Sequence, residues 1–183
     1  MFIEGYYVGA NTMTPVLANQ AIGESTTIVD TILVELRDPT AYTLVASTQA
    51  ILLTNGTAAC TFSTAPSGSF YVAVKHRNAV QTWSANPVAI GATSSYNFTT
   101  AANKAYGDNM KEVEAGVWAF YSGDINQDEL VDPIDYSIWE ADNNNFEFGY
   151  FATDINGDGL VDPIDYSIWE FNSNSFIFSF YPQ

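Results

Sequence analysis

Residues 123–140 read GDINQDELVDPIDYSIWE, and residues 153–170 read TDINGDGLVDPIDYSIWE. Counting from Asp124 and Asp154 as position one, oxygen-bearing side chains fall at positions one, three, five, nine and twelve of each stretch. In the first copy these are Asp124, Asn126, Asp128, Asp132 and Asp135; in the second, Asp154, Asn156, Asp158, Asp162 and Asp165. Asp and Asn are ordinary turn residues, so one such run means little. Two runs in one register, each followed by the identical VDPIDYSIWE, mean a single ligand loop used twice.

The spacing is that of a calcium loop of the EF-hand type. Calcium is a hard cation that takes six to eight oxygens and tolerates uneven geometry; magnesium demands a strict octahedron and keeps its waters. The backbone carbonyls of Leu130 and Leu160, at position seven, complete each cage, so two calcium ions are expected, one per loop. Position six is Gly159 in the second loop but Glu129 in the first, which therefore makes its sharp turn without glycine. Position twelve is Asp, whose reach is shorter than that of the usual Glu.

Each loop runs into a short helix. Asp132 and Asp162 are predicted N-caps, with Pro133 and Pro163 at the first helical positions. Ile134 and Ile138 share one helix face, as do Ile164 and Ile168. The two faces are expected to bury against each other. Trp139 and Trp169 read as core rather than as a sugar platform, since small units need every large side chain for burial. Beyond the helices, Phe146, Phe148 and Tyr150 alternate, as do Phe176, Phe178 and Phe180. Period two predicts extended chain. The last segment, 176–181, is expected to pair with a sheet edge, of its own chain or of a neighbouring copy.

Duplicated D-x-N-x-D-x-x-V-D-x-x-D loops, each followed by one short helix, resemble dockerin repeats over about residues 121–181. The resemblance implies that the helix before each loop is absent. It implies a pseudo-twofold pair of loop–helix units and assigns the five side-chain ligands named for each loop. In cellulosomal dockerins, partner recognition follows the ninth position, often as a Ser-Thr pair; here Pro133-Ile134 and Pro163-Ile164 stand there. More loosely, VKHRNAVQTWS (74–84), NFTTAANKAYGDNM (97–110) and VWAFYSGDIN (117–126) resemble a β-sandwich-plus-dockerin-like module. Such modules lie at the C-terminal ends of large secreted bacterial proteins.

The net charge is −16. All five bases, Arg37, Lys75, Arg77, Lys104 and Lys111, precede position 112, and thirteen of the 21 acids lie from Asp124 onward. The tail therefore carries −13 with no base, a self-repelling charge that bound cations offset. Nucleic acid is excluded as a partner, because no basic stripe meets phosphates. No run approaches the ~20 apolar residues of a membrane span. No signal peptide is visible; if the protein is secreted, its leader has been removed or lies outside this sequence. Weak calcium loops fill at extracellular calcium, which favours a secreted or cell-surface protein. Cys60 is the only cysteine, so no internal disulfide forms; in ACTF it reads as a buried small hydrophobe.

Residues 1–120 read as a β-sandwich domain, immunoglobulin-like or transthyretin-like, ahead of a small α, dockerin-like domain at 121–183. Predicted strands are 2–9, 29–37, 42–47, 49–54, 57–63, 69–76, 86–90 and 94–99. Residues 101–120 read as a connector, with Trp118 and Phe120 as candidates for the seam between the parts. His76, beside Lys75 and Arg77, reads as a polar strand end, with no nucleophile near it in sequence. The sequence thus predicts a mainly β, non-catalytic, calcium-binding extracellular module. Two roles compete. One is a structural subunit that assembles with copies of itself, the favoured reading. The other is an anchoring module that meets a cohesin-like or surface receptor. Carbohydrate binding by the sandwich is a third, weaker reading.

Overall fold

The computed structural model describes residues 1–63 and 67–183. The chain enters through a 3-10 turn at Glu4–Tyr6 and a small hairpin of β1 (Tyr7–Gly9) and β2 (Thr12–Met13). A single helical turn, α1 (Val16–Asn19), leads to an antiparallel five-stranded sheet. Its strands are β3 (Ile28–Arg37), β4 (Leu44–Leu53), β5 (Gly68–His76), β6 (Ala79–Trp83) and β7 (Val88–Ile90). The order is β4-β3-β5-β6, with β7 paired to the first residues of β5. A second hairpin, β8 (Lys111–Glu114) with β9 (Val117–Ala119), precedes the helices α2 (Pro133–Asn144) and α3 (Pro163–Asn174). The fold is mainly β and its sheets are antiparallel. None of the described helices is long and apolar enough to cross a membrane.

Alternation sets the main core. Ile32, Val34 and Leu36 of β3 and Val72 and Val74 of β5 are buried together. The layer over them comes from Phe2, Ile3, Tyr6, Phe98 and Phe120. The N-terminal segment joins the second hairpin there: Phe120 N donates to Phe2 O and Glu4 N to Phe120 O, both at 2.9 Å. This layer is assembled from short pieces, and the largest sheet among the described residues is the single five-stranded one.

Several local expectations change. Residues 4–6 leave the extended state because Gly5 presses on the second loop; a Cβ there would stand 2.1 Å from Ile155 O. Segments 42–47 and 49–54 are parts of one strand, β4. Segments 57–63 and 94–99 hold no strand, only the isolated bridge Leu52↔Ala58. Cys60 is exposed, not buried. β6 shows no alternation because every residue of AVQTW is buried. The connector carries β8 and β9 because Glu112 and Trp118 pair across the turn at Gly116. Phe120 sits in the main core rather than at the seam.

The seam is polar and lies elsewhere. Buried Asp30 accepts from His76 Nε2 at 3.2 Å, Arg77 Nε at 2.8 Å and the Tyr150 hydroxyl at 2.9 Å. Burial alone would raise the Asp30 pKa, but His76 and Arg77 outweigh it and hold the carboxyl far below the ordinary range. Arg77 also donates to Phe151 O, and its guanidinium stands 4.3 Å from the Tyr150 ring centroid. His76 is thus a buried structural partner of Asp30, not an open polar strand end.

Candidate metal centre

Each loop is folded around its own first and twelfth residues. Asp135 Oδ1 accepts Ile125 N at 2.7 Å and Asn126 N at 3.1 Å, and its Oδ2 accepts Asp132 N at 2.9 Å. Asp165 repeats this with Ile155 N, Asn156 N and Asp162 N at 2.7, 2.9 and 2.9 Å. Asp124 Oδ2 accepts Glu129 N at 3.2 Å, and Asp154 Oδ2 accepts Gly159 N at 2.8 Å. The first and twelfth carboxylates are therefore buried in both loops. Asn126 with Asp128, and Asn156 with Asp158, form the more open rim; each Asn Nδ2 donates to its Asp, at 2.8 and 3.0 Å. Asp132 and Asp162 cap the helices as expected, each in a capping box. One oxygen of each takes the N–H of Ile134 or Ile164 at 2.7 Å.

The position-seven carbonyls are placed by an unforeseen pairing. Val131 N donates to Ile177 O at 2.9 Å and Ser179 N to Glu129 O at 2.7 Å, which brackets the bridge Leu130↔Phe178. Val161 N donates to Glu147 O and Gly149 N to Gly159 O, bracketing Phe148↔Leu160. Leu130 and Leu160 are each the non-hydrogen-bonded member of such a pair, so their own carbonyls point away from the strap, toward the loop. Each unit's tail thus straps the other unit's loop. The C-terminal segment 177–179 finds its pairing on its own first loop rather than on a sheet edge.

The helices meet differently from expectation. Tyr136, Trp139, Tyr166 and Trp169 pack as a crossed aromatic quartet; Trp139 lies 5.2 Å from Tyr166 and Trp169 lies 5.3 Å from Tyr136, centroid to centroid. Trp169 Nε1 donates to Asp132 O at 3.1 Å. The Ile pairs are not buried between the helices: Ile134 and Ile164 are each 56% exposed and Ile138 is 37% exposed, with only Ile168 half-buried. Tyr and Trp bury more area per residue than Ile, so they win the seam and turn the Ile face outward.

Burial and crowding dominate the electrostatics. Burial, and then the charges of Asp135 and Asp128, push Asp124 up to about 7. Burial pushes Asp165 to about 7 against the pull of its backbone N–H donors. Asp135 and Asp154 are raised for the same first reason. Among the described residues, the ion pairs involve Glu35, Asp30 and Glu4, and no loop carboxylate meets a base. Asp124 Oδ1 is buried with no hydrogen-bond partner. Among the described residues, no three carboxylate, His or Cys side chains stand together as a closed metal cluster. The oxygens are spread round each loop, and Asn and carbonyl groups make up the set. A hard, positively charged ion fits it: the set is all oxygen, it carries excess negative charge, and one buried acceptor is unsatisfied.

Sequence reading missed the residues that hold the second loop. Gln20 Nε2 donates to Asp154 Oδ2, Asn78 Nδ2 to Asp154 O at 3.1 Å, and Asn19 Nδ2 to Gly157 O at 2.9 Å. Neutral amides far away in sequence carry no signature of such a role. The contacts also explain the unequal loops. Glu129 and Gly159 both hold left-handed backbone, at φ 77° and 93°, as do Gln127 and Gly157, at 61° and 74°. A Cβ on Gly159 would lie 2.6 Å from Asn19 O, and one on Gly157 would lie 2.6 Å from Val16 Cγ2. Glycine is needed where the loop abuts α1.

The chain matches no known family model, no curated protein and no solved structure.

Proposed function

We propose that residues 121–183 form a dockerin-like pair of loop–helix units that binds two calcium ions. The whole chain is then a non-catalytic, calcium-rigidified module of the extracellular space. The observation that carries this reading is the pair of carboxylates at positions one and twelve of each loop. They are buried without a base, and one oxygen of Asp124 is left unsatisfied. Such a site is unfavourable empty and favourable filled, so ion binding becomes folding energy. Asp124, Asn126, Asp128, Asp132, Asp135 and the Leu130 carbonyl would hold one ion; Asp154, Asn156, Asp158, Asp162, Asp165 and the Leu160 carbonyl would hold the other. The ion itself supplies charge neutralisation and no chemistry. Calorimetric titration with calcium tests this: two ions per chain are expected, with a large rise in thermal midpoint. One ion, or a midpoint indifferent to chelator, overturns it.

Of the two roles, anchoring to a receptor is now the better supported. The C-terminal segment has its backbone partners within its own chain, which removes the simplest route to a filament. Meanwhile Ile134, Ile164, Phe146 and Phe176 remain exposed at matching positions of the two units, on a domain without a base. That surface suits an apolar partner with a cationic rim better than a second, equally acidic copy. Sedimentation of the calcium-loaded chain separates the roles. A monomer supports anchoring, whereas concentration-dependent assembly restores the structural-subunit reading.

A further inference from the structure

β6 meets the first loop and the C-terminal tail at a cleft of about 250 Å³. Gln81 and Trp83, 5% and 4% exposed, line it from the strand. Gln81 Oε1 and Trp83 Nε1 are both buried without a hydrogen-bond partner, one an acceptor and the other a donor. Buried polar groups are nearly always satisfied, and two failures side by side call for an explanation. Tyr42 and Tyr181 wall the cleft, and Arg37 and Glu129 complete it. The Arg37 guanidinium is paired with Glu35 and stands 5.4 Å from the Trp83 ring centroid. Glu129 has no ion-pair partner among the described residues. Tyr42 and Glu129 both hold left-handed backbone, at φ 59° and 77°.

The cleft is built, not incidental. Ser179 Oγ donates to Gln81 O, and Ser179 N donates to Glu129 O, both at 2.7 Å. These bonds set Tyr181 against Trp83, centroid to centroid 5.8 Å. The volume of this open cleft suits one ring rather than a drug-sized ligand. Aromatic walls favour a ligand with an apolar face. An orphaned donor and an orphaned acceptor on lining residues, with guanidinium, carboxylate and amide groups in the same lining, favour several hydroxyls that each give and take a hydrogen bond. The Arg37 charge is met by Glu35, so Glu129 is left as the unpaired charge among the described residues; it repels an anion and accepts from the hydroxyls of an uncharged ligand. We propose that this cleft binds a neutral pyranose sugar, which stacks a C–H face on the tyrosines and bridges Gln81, Arg37 and Glu129 with its hydroxyls.

The test uses the whole chain saturated with calcium. The methyl β-glycosides of glucose, galactose, mannose and N-acetylglucosamine are titrated by calorimetry and by tryptophan fluorescence. At least one is expected to bind and to shift the emission, and Trp83→Phe is expected to remove the shift. Gln81→Leu keeps the shape and removes the orphaned acceptor. The thermal midpoint is expected to hold or rise while sugar affinity falls by about tenfold or more. Tyr181→Ala is expected to weaken binding with two calcium ions still bound. Binding of none of the four sugars overturns the proposal. So does undiminished binding by Gln81→Leu, or binding of glycine or acetate in place of every sugar.

Discussion

Position six of the two loops offers a substitution pair whose opposite outcomes follow from the structure. Glu129 and Gly159 share a left-handed backbone, which costs an L-residue about 1–2 kcal/mol. Glu129→Gly removes that strain. It adds back roughly 0.4–1 kcal/mol of unfolded-chain entropy, for a net gain of about 0.5 kcal/mol. Gly159→Ala imposes the strain and drives a Cβ to within 2.6 Å of Asn19 O, a backbone atom that the α1 turn holds in place. Adding an overpacking cost of about 1–3 kcal/mol gives a loss of about 3 kcal/mol. For a chain of this length each kcal/mol moves the thermal midpoint by about 2–4 °C. Calorimetric melting in saturating calcium should therefore show Gly159→Ala falling by about 6–12 °C and Glu129→Gly rising by about 1–2 °C. If Gly159→Ala melts with the parent chain, the second loop is not clamped by the N-terminal segment; if Glu129→Gly falls as far as Gly159→Ala, the left-handed backbone at Glu129 carries no strain to relieve.

Three further outcomes follow. Asp124 and Asp165 sit near 7 without metal, well above the ~3.9 of an unfolded Asp. Their stabilising effect is complete below about pH 4 and lost as the pH rises to about 7. The midpoint of the chelated protein should fall across that window, and that of the calcium-loaded protein should rise. A parallel trend in both forms would show that these carboxylates are not the ion's ligands. Trp139→Ala should cost ~3–5 kcal/mol in urea unfolding and Ile134→Ala well under 1, the reverse of a seam made by the Ile pairs. Removing residues 176–183 should weaken calcium at the first loop and spare the second, because that segment straps Glu129 to Val131; equal weakening of both sites would contradict the strapping.

The repeat region was the most legible part of the chain. Its helix starts follow from a local rule, Asp as N-cap before Pro; the tails are extended only in part, since Phe146 and Phe176 stand in left-handed backbone at φ 57° and 54°. Backbone geometry within twelve residues depends mainly on those residues. The strands β3 and β5 were legible for the same reason, since β-branched runs with one buried face have a period of two, whereas β4 read as two strands and is one. β6 was not, because a strand buried on both faces loses its alternation, and residues 4–6 were not, because their conformation answers to Ile155 far along the chain.

What the sequence determined by itself is a β-rich chain ending in two acidic loop–helix units of closely similar sequence, with the oxygens of each loop in one register. Position in sequence is enough there, because neighbouring residues build each loop. Only the tertiary structure decided which side chains form the helix seam and which loop tolerates a side chain at positions four and six. It also decided where each tail binds. The shared VDPIDYSIWE segments have identical local preferences, so what distinguishes their surroundings comes from the rest of the chain. The second loop lies against α1, Gln20 and Asn78, whereas the first opens toward β6 and the C-terminus.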